Sequence, residues 1–190
     1  MYIISNIRIK NILSILLCIL LNIILWKPIY CRYIYIKNDD NAYSLFKGIT
    51  ENYDFFLNES ELNFYMEAGS YKLNNKNQFL FSVYYNTTFY GNSYQKTIFD
   101  LNEYIDEIFE INFIRKTTYI EFNNIIFKNY SSPNNKNSLF YLPLNKNVFK
   151  YHIIFKDCVF ENNYSILKII TNCNDNDELR KISFINCRFK

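Results

Sequence analysis

Three stretches of the chain nearly repeat one another: IEFNNIIFKNY (Ile120 to Tyr130), IIFKDCVFENN (Ile153 to Asn163) and ISFINCRFK (Ile182 to Lys190). Aligned on their phenylalanines, Ile120, Ile153 and Ile182 fall together, and so do Phe122, Phe155 and Phe184. After a polar corner come Ile125, Cys158 and Cys187, then Phe127, Phe160 and Phe189. These positions alternate with Glu121, Lys128, Glu161, Ser183, Arg188 and Lys190. Alternation with period two marks strands that bury one face. The corners hold Asn124, Asp157 and Asn186, residue types that tolerate left-handed backbone and bond their own main chain.

The copies begin 33 and then 29 residues apart. Between them lies a second match, SLFYL (Ser138 to Leu142) and SILKI (Ser165 to Ile169). One unit is therefore two strands, a polar loop, a third strand and another loop. Such a unit cannot hide its apolar face alone. Stacking each strand about 4.8 Å above its counterpart hides it and lines up like residues in columns. The expected fold is all-β, a parallel β-solenoid. A helical solenoid would need a period of 3.6, and a sandwich would not need similar side chains at matched positions.

The N-terminal half fits the same plan. YIYIK (Tyr33 to Lys37) reads as a strand. Asp39 or Asp40 can cap a helix carrying Ala42, Leu45, Phe46 and Ile49 at helical spacing, with Gly48 near its end. LNFYMEAGSYKL (Leu62 to Leu73) reads as strand, glycine turn, strand, and TTFYGN and KTIFDLN follow. The stretch Asp100 to Glu110 fits a short helix or a loop.

This order of strand, amphipathic helix, AGSYKL, TTFYGN, KTIFD and F-x-N-x-x-F units resembles the right-handed parallel β-helix proteins of the pectate-lyase-like fold, over Tyr33 to Lys190. The resemblance implies a right-handed solenoid whose short N-terminal helix covers the apolar end of the first coil. A looser likeness in composition and repeat is to scaffoldin-like extracellular proteins. Lys190 closes the second strand of a unit, so the solenoid is expected to be incomplete or uncapped at its C-terminus. A fragment, a docking edge for another chain and a fraying last coil all fit. The expected organisation is residues 1–31 as a signal peptide or anchor, 32–119 as cap and first coils, and 120–190 as further coils of the same domain.

Arg8 and Lys10 precede a mostly apolar run from Ile12 to Trp26, which Lys27 and Pro28 stop. Fifteen residues match the core of a signal peptide and fall short of the roughly 20 that span a bilayer. Cleavage near Cys31 and secretion is the leading expectation; a retained membrane anchor and a buried helix are the alternatives. Beyond this segment, 18 Lys and Arg balance 18 Asp and Glu. That balance leaves no electrostatic footprint for nucleic acid.

Lyases of the resembled group use a carboxylate cluster for calcium with Arg or Lys as base. Its hydrolases use several aspartates near a Gly-His-Gly motif. Neither constellation stands in this sequence, so no catalytic residue and no cofactor is expected. Asp157 reads as a corner and His152 as a surface or structural residue. Asp175, Asp177 and Glu178 read as a solvated loop lacking the glycine and spacing of a calcium loop. Without a C-x-x-C pair, zinc is not expected. Cys158 and Cys187 share a column and are expected as stacked buried thiols, with Cys173 in a loop as the candidate for a bridge. Four N-x-S/T sequons place candidate glycosylation at Asn58, Asn86, Asn129 and Asn163. Among the many aromatics, Tyr84, Tyr85, Phe89 and Tyr90 are candidates to stack on sugar rings, Tyr84 and Tyr90 foremost.

The functional expectation is a secreted or cell-surface β-helix protein without catalysis. It would be structural, adhesive or carbohydrate-contacting, with polysaccharide or another surface protein as partner. The alternatives are an N-terminal piece of a β-helix polysaccharide lyase or glycoside hydrolase, and a membrane-anchored surface protein.

Overall fold

The structure is a computed structural model that describes residues 31–39, 43–52, 61–73, 79–101, 109–115, 118–131, 137–143, 151–169 and 180–190. In chain order the elements are β1 (Cys31–Ile36), α1 (Tyr43–Asn52), β2 (Glu61–Met66), β3 (Gly69–Lys72) and β4 (Phe79–Val83). There follow β5 (Asn86–Tyr90), β6 (Thr97–Asp100), β7 (Phe109–Phe113), β8 (Thr118–Asn123), β9 (Ile125–Lys128) and β10 (Phe140–Leu142). The last are β11 (Tyr151–Lys156), β12 (Val159–Glu161), β13 (Leu167–Ile169), β14 (Arg180–Ile185) and β15 (Arg188–Phe189).

These strands form three parallel sheets, ordered β1-β2-β5-β8-β11-β14, β3-β6-β9-β12-β15 and β4-β7-β10-β13. Each triplet β2-β3-β4, β5-β6-β7, β8-β9-β10 and β11-β12-β13 is one coil, and β14-β15 continue the stack. The fold is the parallel β-solenoid that the repeat predicts. Its sheets run without a break from the coils before residue 119 into those after it.

Register follows the aligned phenylalanines. Ile120, Ile153 and Ile182 are Cα partners across β8, β11 and β14, and so are Phe122, Phe155 and Phe184. The column extends two coils further towards the N-terminus, through Phe89 to Phe64. Successive rings lie 4.5, 5.1, 5.5 and 5.0 Å apart and within 13° of parallel. A second column in the next sheet runs Tyr71, Phe99, Phe127, Phe160, Phe189. It packs edge-to-face at its N-terminal end and stacks from Phe127 onward. Both are favoured aromatic geometries. Phe109 and Phe140 bring the third sheet against the other two.

The corners between the first and second sheets adopt left-handed backbone, with φ of 57° at Asn124, 54° at Asp157 and 53° at Asn186. Asn and Asp bear this at lower cost than other side chains. Their amides stitch the coils: Asn124 N–H donates to Lys156 O at 2.9 Å, and Asp157 N–H donates to Ile185 O at 2.9 Å. Gly91 takes this place one coil earlier, donating to Asn123 O at 2.8 Å.

Helix α1 covers the start of the stack. The Asp39 carboxylate accepts the Ser44 N–H at 3.0 Å, an N-terminal cap. Leu45 and Ile49 are buried in the core with Ile36. Gly48 brings the helix close to β1: a Cβ there would lie 2.5 Å from Ile36 Cδ1, the end of a side chain that would have to shift. Asp40 and Ala42 lie outside the described residues.

Two strands of the third sheet, β4 and β7, have no counterpart in the sequence reading. Phe109 and Glu110, left there between helix and loop, begin β7, paired with β4 and β10. Cys158 and Cys187 are free thiols in one column. Each donates to a carbonyl of the preceding coil, Cys158 to Phe122 O and Cys187 to Phe155 O, both at 3.3 Å. Burial pushes the Cys158 thiol up to about 12, which leaves it protonated and unreactive. Cys173 lies outside the described residues. In the last strands Phe184, Ile185 and Phe189 are exposed.

Candidate tyrosine groove

The pleat that turns Phe64 and Phe89 inward turns Tyr65 and Tyr90 outward. In β1, Ile34 and Ile36 face the core, so Tyr33 and Tyr35 face out. Tyr35, Tyr65 and Tyr90 are Cα partners on successive strands. Their rings form a ladder outside the first sheet, 5.7 Å and 29° between Tyr35 and Tyr65, 5.0 Å and 15° between Tyr65 and Tyr90. Tyr33 leans on Tyr65 from the side at 5.8 Å and 41°. In such a stack the rings turn their faces to one another along the solenoid axis. Tyr35 and Tyr65 keep exposed edges.

Thr88 sits beneath the ladder, buried between outward neighbours and hydrogen-bonded to the phenols of Tyr90 and Tyr119. Burial raises both phenols above their ordinary pKa, and these bonds partly oppose it. Tyr35, at the ladder's first strand, is 79% exposed.

The turn between β5 and β6 makes the opposite wall. Asn92 Oδ1 accepts the N–H groups of Tyr94 at 2.9 Å and Gln95 at 3.0 Å. Asn92 O accepts Asn124 Nδ2 at 2.6 Å from the next coil. The turn is therefore pinned at Asn92, its far end is held by Lys96 O accepting the Gly69 N–H at 2.8 Å, and it holds Tyr94 out at 96% exposure. Between ladder and turn lies a groove of about 540 Å³, lined by Tyr35, Tyr65, Tyr90 and Tyr94, with Lys37, Glu67, Asn92 and Ser93 as polar side chains. Glu67 is fixed by accepting the Asn38 N–H at 2.9 Å. The volume falls within the range of about 300–1,000 Å³ typical of ligand sites.

Of the sugar-stacking candidates, Tyr90 lines this groove and Tyr84 does not. Tyr84 follows β4, with its ring 6.4 Å from that of Tyr85. Tyr85 and Phe89 are buried, and the Arg115 guanidinium lies 4.8 Å over the Tyr85 ring. Those two present no outward face for a sugar. Tyr33, Tyr35, Tyr65 and Tyr94 were not among the candidates. The signal available for one of these positions, Tyr65, is the pair Phe64-Tyr65, which repeats at Phe89-Tyr90.

The glycosylation candidates occupy unlike places. Asn163 bridges coils, its Nδ2 donating to Phe127 O at 2.8 Å and its Oδ1 accepting Tyr130 N–H at 3.0 Å. Asn129 Nδ2 donates to Asp100 Oδ1 at 3.0 Å, and that carboxylate also pairs with Lys128 at 3.0 Å. The residue stacked on Asn129 is Asn162, left-handed like it, so the two sequons are not equivalent. Asn86 Oδ1 accepts Tyr119 N–H at 3.3 Å. Asn58 lies outside the described residues.

His152 Nε2 meets Ser183 Oγ at 2.8 Å on the outer face of the first sheet. Asp157 is an exposed corner. Asp175, Asp177 and Glu178 lie outside the described residues, as does Ile12 to Trp26. Among the described residues no three His, Cys, Asp or Glu side chains group as a metal site, and no helix is long and apolar enough to cross a membrane.

Fold and groove together define a parallel β-solenoid with a tyrosine-lined groove on one sheet. No protein-family model matches the chain, and neither the curated proteins nor the solved structures give a match.

Proposed function

We propose that this chain is a secreted or cell-surface β-solenoid without catalysis, a structural or adhesive module that contacts polysaccharide through the tyrosine groove. The pectate-lyase-like and scaffoldin-like resemblances agree with that role, and the apolar run Ile12 to Trp26 agrees with export. The observation that carries the reading is the groove itself. A pyranose has an apolar face and a hydroxyl rim. Tyr94 and Tyr35 offer exposed rings for the face, and Lys37, Glu67 and Asn92 offer donors and acceptors for the rim.

Titration calorimetry of the full chain against a panel of soluble wall and cell-surface polysaccharides tests it. Binding to at least one is expected. Joint Tyr35→Ala and Tyr94→Ala replacement then weakens it at least about tenfold, the equivalent of about 1.4 kcal/mol, while Tyr84→Ala leaves it unchanged. Absence of binding across the panel contradicts the reading, and so does binding that survives the double replacement.

A further inference from the structure

We propose that the outer ladder is a site of oxidative tyrosine cross-linking, in which Tyr65 couples through a carbon–carbon bond to one of the rings around it, Tyr35, Tyr90 or Tyr33. The inference does not depend on polysaccharide binding.

Coupling of two phenols needs exposure to an oxidant and two rings held side by side. Tyr65 has both. Its ring lies 5.7 Å from Tyr35, 5.0 Å from Tyr90 and 5.8 Å from Tyr33. Tyr33, Tyr35 and Tyr65 are exposed. The backbone cannot carry these rings apart, because β1, β2 and β5 are paired in register along their length. The Tyr35 and Tyr90 rings lie within 29° of parallel to Tyr65 and the Tyr33 ring at 41°, so neighbouring phenols are held ring against ring. Two others among the described residues, Tyr85 and Tyr71, lack this setting. Tyr85 is buried beside Tyr84 at 6.4 Å and 43°. Tyr71 is enclosed, donating its hydroxyl to Glu67 O at 3.0 Å.

The oxidant is a haem peroxidase with hydrogen peroxide. It removes one electron and one proton from each of two phenols, giving two radicals with spin on the ring carbons ortho to the oxygen-bearing carbon. Two such carbons join. The hydrogen on each coupled carbon then passes through solvent to the oxygen, restoring both aromatic rings and both hydroxyls. The pair has lost two hydrogen atoms, and one hydrogen peroxide has become two waters. The product staples β2 covalently to β1 or β5 across coils that otherwise hold by hydrogen bonds and stacking.

The test treats the full chain with a plant haem peroxidase and hydrogen peroxide, isolates the monomer and maps its peptides by mass spectrometry. The expected product is an internal cross-link containing Tyr65, lighter than its parts by two hydrogens and carrying dityrosine fluorescence. Tyr65→Phe keeps a ring in the stack and abolishes that product; Tyr84→Phe leaves it. Cross-links in the monomer that omit Tyr65, an undiminished yield in Tyr65→Phe, or products formed solely between chains would overturn the proposal. Polysaccharide binding by Tyr65→Phe is measured separately, so that a failure here and a failure of the groove reading are told apart.

Discussion

Phe122→Ala should remove about 3–5 kcal/mol of folding stability, the cost of emptying an aromatic site in a tightly packed core. Phe122 is fully buried at the middle of the ring column of the first sheet. It stacks on Phe89 at 5.1 Å and on Phe155 at 5.5 Å. It also meets Phe127 edge-on at 5.8 Å and Phe140 at 5.2 Å. Its loss therefore opens a void shared by three coils and all three sheets. Stability in a solenoid is a sum of coil terms and nearest-neighbour terms, so a residue that couples coils on both sides carries two such terms. Domains hold only about 5–15 kcal/mol in total, and the variant is expected to be largely unfolded by mild urea. Phe184 belongs to the same column but is 41% exposed and stacks only on Phe155 within it. Phe184→Ala should cost roughly 1–2 kcal/mol, in proportion to the smaller area it buries. Urea unfolding followed by near-ultraviolet circular dichroism measures both. Equal costs at the two positions would show that the column does not run through Phe122 as described.

Gly91→Ala is the second large effect, and it acts through backbone. A Cβ at Gly91 would lie 2.0 Å from Asn124 O and 2.9 Å from Asn124 C. Both belong to the corner of the next coil, so no flexible side chain can yield. The two coils would have to separate. Separation breaks the 2.8 Å bond from Gly91 N–H to Asn123 O and disturbs the 2.6 Å bond from Asn124 Nδ2 to Asn92 O. The expected loss sits at or above the upper end of the ~1–3 kcal/mol usual for overpacking. The groove should suffer with the fold, because Asn92 anchors the turn that holds Tyr94. Thermal unfolding reads the first effect. Proteolysis at the 91–96 turn reads the second, with faster cleavage expected in the variant. A variant as stable as the parent would contradict the coil spacing.

The later coils were legible because each unit repeats its side chains as well as its pattern. Ile120, Phe122 and Phe127 return in kind, and only a stacked fold gives like residues a reason to recur. The Asn and Asp corners announced themselves for the same reason: their chemistry suits the left-handed angles found at Asn124, Asp157 and Asn186. The earlier coils hide the repeat. Their first-sheet strands are only 25 residues apart from Leu62 to Thr87, and Thr87 stands where later coils place isoleucine. Strands β4 and β7 escaped notice because the turns and loops around them vary in length.

The groove was the least legible part. Tyrosine suits either face of a strand, apolar in its ring and polar at its tip, so composition cannot tell an outward Tyr65 from an inward Tyr71. Tyr35, Tyr65 and Tyr90 stand 30 and 25 residues apart in the chain, and only the parallel register makes them neighbours. Tyr94 depends on a turn whose shape comes from Asn92 and from a bond to the following coil. Of the two leading sugar-stacking candidates, Tyr90 reached the groove because it follows an inward Phe on a strand. Tyr84 lies beyond the end of a strand in a different sheet.

The central claim is that like aromatic rings lie flush, coil upon coil. Nuclear Overhauser contacts among selectively labelled phenylalanine rings test it most directly. The account predicts contacts from Phe122 to Phe89 and Phe155, from Phe155 to Phe184, and none from Phe122 to Phe64 or Phe184. Contacts that skip a coil, or a Phe122 ring with no contact to Phe155, would contradict it.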